Sequence, residues 1–376
     1  MTHFRIVLAA VAHLALVQFP SGSPAQQAAG NPPTSVTAPA PASAPAAAGN
    51  AALSLQSIND DYNRQLLQIE RQRLDRLAQL AAGQPPRDAS RTYEVLFRLA
   101  IANNLFAEAE AAADRVRTSP DNPSPVVRLL AETINIIATA DRGAFDESLA
   151  DLSRLVGAGA SGRKPGAPAP AAVLDTPSLL SLCGAYYQRL VQAGRFDVAR
   201  KAFALLHRES TNPDVKEFSA HRLRQLELIG KPAPAIKGTD VDGRPFDLAA
   251  LKGDLVLVVF WASWCVPNAA EVVWLDQVYS DYRERGFRIV GINLDTLQNG
   301  GTRAEAVMPS VRRFLLDHNV RWPNVINGQG PADYAEAYGV TEIPTNALIG
   351  RDGSVIQLDL SRKNLDQVVA RAVGRR

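Results

Sequence analysis

Two cysteines, Cys183 and Cys265, are the residues of this 376-residue chain best suited to making and breaking a covalent bond. Their surroundings separate them. Cys265 lies within Leu255–Asn268, LVLVVFWASWCVPN, where an uncharged aliphatic and aromatic run from Leu255 to Ala262 meets a Trp-Cys turn. Such a run suits a strand buried on both faces. Behind it, Ala269–Leu275 carries apolar residues at helical spacing. Cys265 is therefore expected where a buried strand passes into a helix, facing unpaired N–H groups and the positive end of the dipole, which favour thiolate. The expected thiol pKa falls from about 8.5 into the 3.5–7.5 range. The competing reading is a small buried core residue. For Cys183, in Ser181–Ala185 of a presumed helix, packing is expected, with a distant resolving thiol as the alternative.

The neighbours of Cys265 have two readings each. Pro267 falls near the first helical turn, where a missing N–H costs nothing. Glu271 is either a first-turn acid favoured by the dipole or a proton-handling group beside the thiol. Asn268 is no nucleophile; its amide is expected to donate to the Cys265 thiolate or to cap the helix. Far along the chain, Ile343-Pro344-Thr345 introduces another strand, and Pro344 is either a trans strand-start proline or a cis one.

Trp264, Cys265, Pro267 and Glu271 together resemble the active-site pattern W-C-x-P-C-x-x-E of thioredoxin-like disulfide reductases of the exported TlpA/ResA type. Asn268 stands where that pattern has its second, resolving cysteine. The resemblance implies a cis Ile343–Pro344 bond opposite Cys265, Cys265 and Glu271 as the catalytic pair, and substrate contacts from Trp264, Pro267, Asn268, Ile343, Pro344 and Thr345. It implies protein or small-molecule thiols and disulfides as partners, and no cofactor or metal.

The elements that must position these residues begin at Gly230-Lys231-Pro232-Ala233-Pro234, where the composition changes. From there strands alternate with helices: Leu255–Ala262, a helix near 269–285, Phe287–Leu294, helices near 306–318 and 332–338, Thr345–Ile349, Ser354–Leu358, and a last helix from about Asn364. Asp352-Gly353 marks a terminal hairpin. This order suits an α/β thioredoxin-like mixed sheet over 230–376, and the resemblance extends to the short Asp242–Phe246 hairpin that opens it.

Residues 53–229 read as an all-α helical-repeat domain. Tyr62–Leu80 is amphipathic, with Leu66, Leu67, Ile69, Leu74, Leu77 and Leu80 among Arg and Gln. Three stretches, Asn104–Ala109, Gly143–Ser148 and Gly194–Ala199, each set a Gly or Asn two residues before Phe and five before a small residue. That pattern suits the turn and close packing of a degenerate tetratricopeptide-like hairpin. Spacer, dimer surface and partner-binding module are all open to such a domain.

Residues 26–52 are rich in Ala, Pro, Gly and Ser and are expected to form a disordered tether. Before them, Arg5, the apolar Ile6–Phe19 and Ser23-Pro24-Ala25 read as a signal peptide over 1–25, with an uncleaved membrane anchor as the alternative. Export to the periplasm or another extracytoplasmic space follows. Forty basic against thirty-eight acidic residues, a formal charge of +2, and the lack of a basic block give no reason to expect nucleic acid. Five scattered histidines and two cysteines offer no metal motif. The function expected is an exported thiol–disulfide oxidoreductase working through Cys265 alone; the alternative is a redox-inactive thioredoxin-fold binding module.

Overall fold

The structure is a computed structural model that describes residues 55–119, 124–161, 174–328 and 333–374. The expected leader, the tether and most of the Gly157–Pro177 insertion lie outside the described residues. Among the described residues, no helix is long and apolar enough to cross a membrane.

The first half is helical: α1 (Leu55–Ala82), α2 (Pro86–Ala102), α3 (Phe106–Thr118), α4 (Pro125–Asp141), α5 (Phe145–Ser161), α6 (Thr176–Gln192), α7 (Phe196–Glu209) and α8 (Pro213–Leu226). Local chemistry sets their starts. The Ser124, Asp175 and Asn212 side chains accept from the first free N–H groups of α4, α6 and α8, and each of these helices has proline in its first turn. The turns α2–α3, α4–α5 and α6–α7 place Asn104, Gly143 and Gly194 at φ of 58°, 80° and 70°. Two residues on, Phe106, Phe145 and Phe196 open the next helix. Ala109, Ser148 and Ala199 are then buried to 1%, 0% and 0% exposure, the tight approach for which a small residue is needed. Along α1, Leu74 is buried in this core. Residues Leu55–Ile69 fall in a separate unit, where Ile58, Tyr62, Leu66, Leu67 and Ile69 are exposed.

The second half is β1 (Lys237–Thr239), β2 (Pro245–Asp247), β3 (Leu255–Trp261), α9 (Val266–Tyr282), β4 (Phe287–Asn293), α10 (Ala304–Asp317), β5 (Asn324–Ile326), α11 (Tyr334–Ala337), β6 (Thr345–Ile349), β7 (Val355–Leu358) and α12 (Arg362–Gly374). A five-stranded sheet runs β5-β4-β3-β6-β7. β3, β4 and β5 are parallel, β6 runs against β3, and β7 runs against β6 and so in the same direction as the other three. This is the thioredoxin-like mixed sheet. β5 is an addition to the expected elements: three residues after Trp322-Pro323 are too few to show a period.

All seven residues of β3 are buried, as the uncharged run requires. Alternation divides them between two layers. Val256, Val258 and Phe260 join a buried cluster shared with the helical half, whereas Leu255, Leu257, Val259 and Trp261 join a second one with residues of α9, α10 and α12. Each such side chain contributes about 1.5–3 kcal/mol by burial.

Glu70–Arg376 forms one compact unit, so the shift at Gly230 changes architecture within continuous packing. The connecting segment lies along β7: Gly230 N–H donates to Val355 O at 2.8 Å, Val355 N–H to Lys231 O at 2.9 Å, and Ala233 N–H to Gly353 O at 2.9 Å. At the other side of the sheet, Val241 N–H donates to Asn324 O at 2.8 Å, and Asp240 bridges Val325.

Candidate functional site

The site forms where β3 ends. Chain direction reverses through Ala262–Trp264 and α9 begins at Val266, so Cys265 is its N-cap residue and Pro267 its second helical position. The turn is held from β4. Asp295, just past the end of that strand and 2% exposed, accepts from Ser263 N–H at 2.7 Å, from the Ser263 hydroxyl, and from Asn293 Nδ2 at 3.0 Å. Asp295 was not singled out from the sequence. The legible signal is an acid immediately after the strand that neighbours the Trp-Cys strand.

Cys265 is 2% exposed, and its thiol points at the Ile343 carbonyl oxygen, 3.9 Å away. The Ile343–Pro344 bond is cis. Ile343 is buried, Pro344 is exposed, and the buried Thr345 donates its hydroxyl to Asp359. The fold thus gathers Cys265, Ile343, Pro344 and Thr345 at one end of the sheet. Trp264 is half-buried beside them, with its indole N–H unbonded.

The electrostatics correct the thiolate expectation. Burial pushes the Cys265 thiol up; the Asn268 backbone N–H opposes this, and the Glu271 carboxylate adds to it. A helix start lowers a thiol only as far as water reaches the anion, and here desolvation is the larger effect. Glu271 follows the same physics more strongly, its carboxyl pushed up to about 8 by burial. At neutral pH it therefore holds a proton.

Asn268 meets the thiol with its backbone, and its amide takes neither role expected of it. The side chain is 1% exposed, both amide atoms lack a hydrogen-bond partner, and α9 has no side-chain cap. It lines a cavity of about 20 Å³ with Glu271, Trp261, Trp322 and Asn324. This is the layer of Val259 and Trp261, whereas Cys265 packs in the layer of Phe260. The first and fourth positions of the Cys-Val-Pro-Asn motif thus have side chains in different layers.

Cys183 sits on α6, half-buried against the helical core, and both cysteines are free. Burial pushes its thiol up to about 12. Among the described residues no group of three or more His, Cys, Asp or Glu could hold a metal ion.

The geometry agrees with what the chain is similar to. Residues 229–358 match the AhpC/TSA family. Thiol-disulfide oxidoreductase ResA of Bacillus thuringiensis subsp. konkukian is 32% identical over 129 residues, 34% of this chain and 68% of that protein. The ResA protein of Bacillus anthracis is 30% identical over 141 residues, 37% of this chain and 74% of that one. Of solved structures, the thioredoxin domain of a thiol-disulfide oxidoreductase from Bacteroides vulgatus is 27% identical, covering 39% of this chain and 97% of that one with a TM-score of 0.34. With a cysteine at the N-cap position of the helix after its central strand and Asn268 in place of a second thiol, this chain belongs to the ResA family of thioredoxin-like thiol-disulfide oxidoreductases.

Proposed function

We propose that the protein is an exported thiol–disulfide oxidoreductase that works through Cys265 alone. The observation that carries this reading is the placement of Cys265 Sγ at the start of α9, against the Ile343 carbonyl. Cys265 loses its proton to solvent as a disulfide displaces that carbonyl, and its sulfur attacks one sulfur of the substrate. The substrate S–S bond breaks and the second sulfur leaves as a thiolate. Glu271, on the second turn of α9 and protonated at neutral pH, supplies a proton to it. An external thiolate then attacks the mixed disulfide and releases Cys265, because position 268 carries no sulfur.

Within this reading Trp264, Pro267, Ile343, Pro344 and Thr345 line the substrate path, and Asn268 takes part only through its backbone N–H at the Cys265 thiol. Residues 1–25 direct export, 26–52 tether the protein, 53–229 form a tetratricopeptide-like partner surface, and 230–376 carry the redox site.

The test is mixed-disulfide trapping. Incubated with glutathione disulfide, the full chain is expected to accumulate one glutathione on Cys265, read by peptide mass spectrometry, with turnover rising in proportion to added thiol. Asn268→Cys is expected to abolish that accumulation and restore reduction driven by a dithiol when the smaller side chain turns from the Trp261 cavity toward Cys265, because a neighbouring thiol attacks at a very high effective concentration. An unmodified Cys265, together with an inactive Asn268→Cys, leaves a redox-inactive binding module instead.

A further inference from the structure

We propose that Arg222, from the helical half, is a positioning residue for Cys265, bracing both ends of the Glu342–Thr345 segment whose Ile343 carbonyl faces the thiol. This rests on the reading of Cys265 as the attacking sulfur.

Arg222 lies on α8 and is 4% exposed. A guanidinium taken that far from water must find charged partners, because its desolvation costs several kcal/mol. Its partners are specific. It is ion-paired to Glu342, sits 3.8 Å from Asp359 Oδ2, and donates to Gln225 Oε1 at 2.9 Å. Its flat faces are occupied as well, 4.5 Å from the Tyr187 ring centroid and 4.8 Å from that of Phe218.

Both carboxylates lead to the same four residues. Glu342 immediately precedes Ile343. Asp359 accepts the hydroxyl of Thr345, which immediately follows Pro344, and its N–H donates to Asn346 O at 2.9 Å. One guanidinium therefore reaches the segment from both flanks. Asp359 also has a φ of 49°, a left-handed conformation that glycine or asparagine adopts more easily.

The segment so held keeps Cys265 covered, and the Ile343 carbonyl favours the thiol over the thiolate by accepting a hydrogen bond from its S–H. The titratable group facing Cys265 from its own helix is Glu271; the charged groups facing Arg222 are Glu342 and Asp359. A role confined to gluing two halves together would change stability alone. Positioning must also alter the titration of a sulfur that Arg222 does not touch.

The experiment measures iodoacetamide alkylation of the full chain against pH, resolved by peptide so that Cys183 is read separately. The set is wild type, Arg222→Met, Arg222→Lys and Glu342→Gln. In Arg222→Met the Cys265 profile is expected to move down by about one pH unit, with an approximately tenfold faster rate at neutral pH. Glu342→Gln moves it in the same direction. Arg222→Lys restores part of the wild-type profile, because an ammonium meets one carboxylate but neither forks nor stacks as a guanidinium does. Cys183 stays unchanged throughout. A folded Arg222→Met whose Cys265 profile superimposes on wild type overturns the proposal; should that variant fail to fold, superimposable profiles for Arg222→Lys and Glu342→Gln do so. Cys265 inert in wild type but reactive in the variants supports the brace, whereas Cys265 inert in all of them defeats the catalytic reading and the brace with it.

Discussion

Replacing Glu271 with Gln removes a buried acid and keeps its shape, and the effect on stability should depend on pH in a fixed direction. Unfolded, this carboxyl titrates near its ordinary 4.5; folded, it titrates at about 8 because burial disfavours the anion. Between those values the folded chain holds a proton that the unfolded chain has released. Raising the pH through this window therefore favours unfolding, at about 1.4 kcal/mol per pH unit. Across roughly 3.5 pH units the total reaches about 5 kcal/mol. Glu271 is half-buried and water screens part of this, so a difference of about 2–3 kcal/mol is expected. Urea denaturation of wild type and Glu271→Gln, followed by tryptophan fluorescence at several pH values from 5 to 8.5, measures it. The variant should match wild type near pH 5 and become steadily more stable above it. A second readout follows from the same carboxylate, which raises the Cys265 thiol: alkylation of Cys265 in Glu271→Gln should shift to lower pH. A stability difference that stays constant from pH 5 to 8.5 would refute the reasoning.

Two further outcomes test the scaffold beneath the site. A Cβ added at Gly291 of β4 lands on the Asn324 amide and 2.9 Å from Trp261 Nε1, groups that hydrogen-bond to each other at 3.0 Å. Gly291→Ala should therefore cost about 2–4 kcal/mol, seen as a lower urea midpoint at unchanged slope, and near-neutral behaviour would mean that β5 gives way freely. Asp295→Asn leaves one carbonyl oxygen to serve donors that now share two carboxylate oxygens. It should cost about 1–3 kcal/mol and speed Cys265 alkylation as the turn loosens; thermal melting and the alkylation rate measure the two effects.

The stretch around Cys265 was readable because its signals are local. An uncharged run of eight residues is a buried strand in almost any surroundings, and a proline two residues past a cysteine marks a helix start. The three helical turns were readable for the same reason, since Asn104, Gly143 and Gly194 carry the φ that their side chains permit. What escaped the sequence depends on contacts between distant residues. The dipole at Cys265 is local, but the burial that outweighs it comes from a segment 78 positions away. The Asn268 amide looked like a thiol donor because only two residues separate it from Cys265, yet the helix turns its side chain toward Trp261 and Asn324. Arg222 meets Glu342 across 120 positions, and no pattern within α8 announces the pair.

The segment from Ile229 to Ala233 has a consequence for how this sheet can be approached. By bonding along β7 it serves as a selvedge, and the Asp240–Val241 contacts with β5 finish the opposite side. Backbone groups of Val355 on β7 and of Asn324 on β5 are thereby taken, which shortens the row of N–H and C=O groups that each outer strand offers a neighbouring molecule. Cutting the chain after Ala233 would unravel that selvedge and turn a sheet with guarded margins into one open to self-assembly.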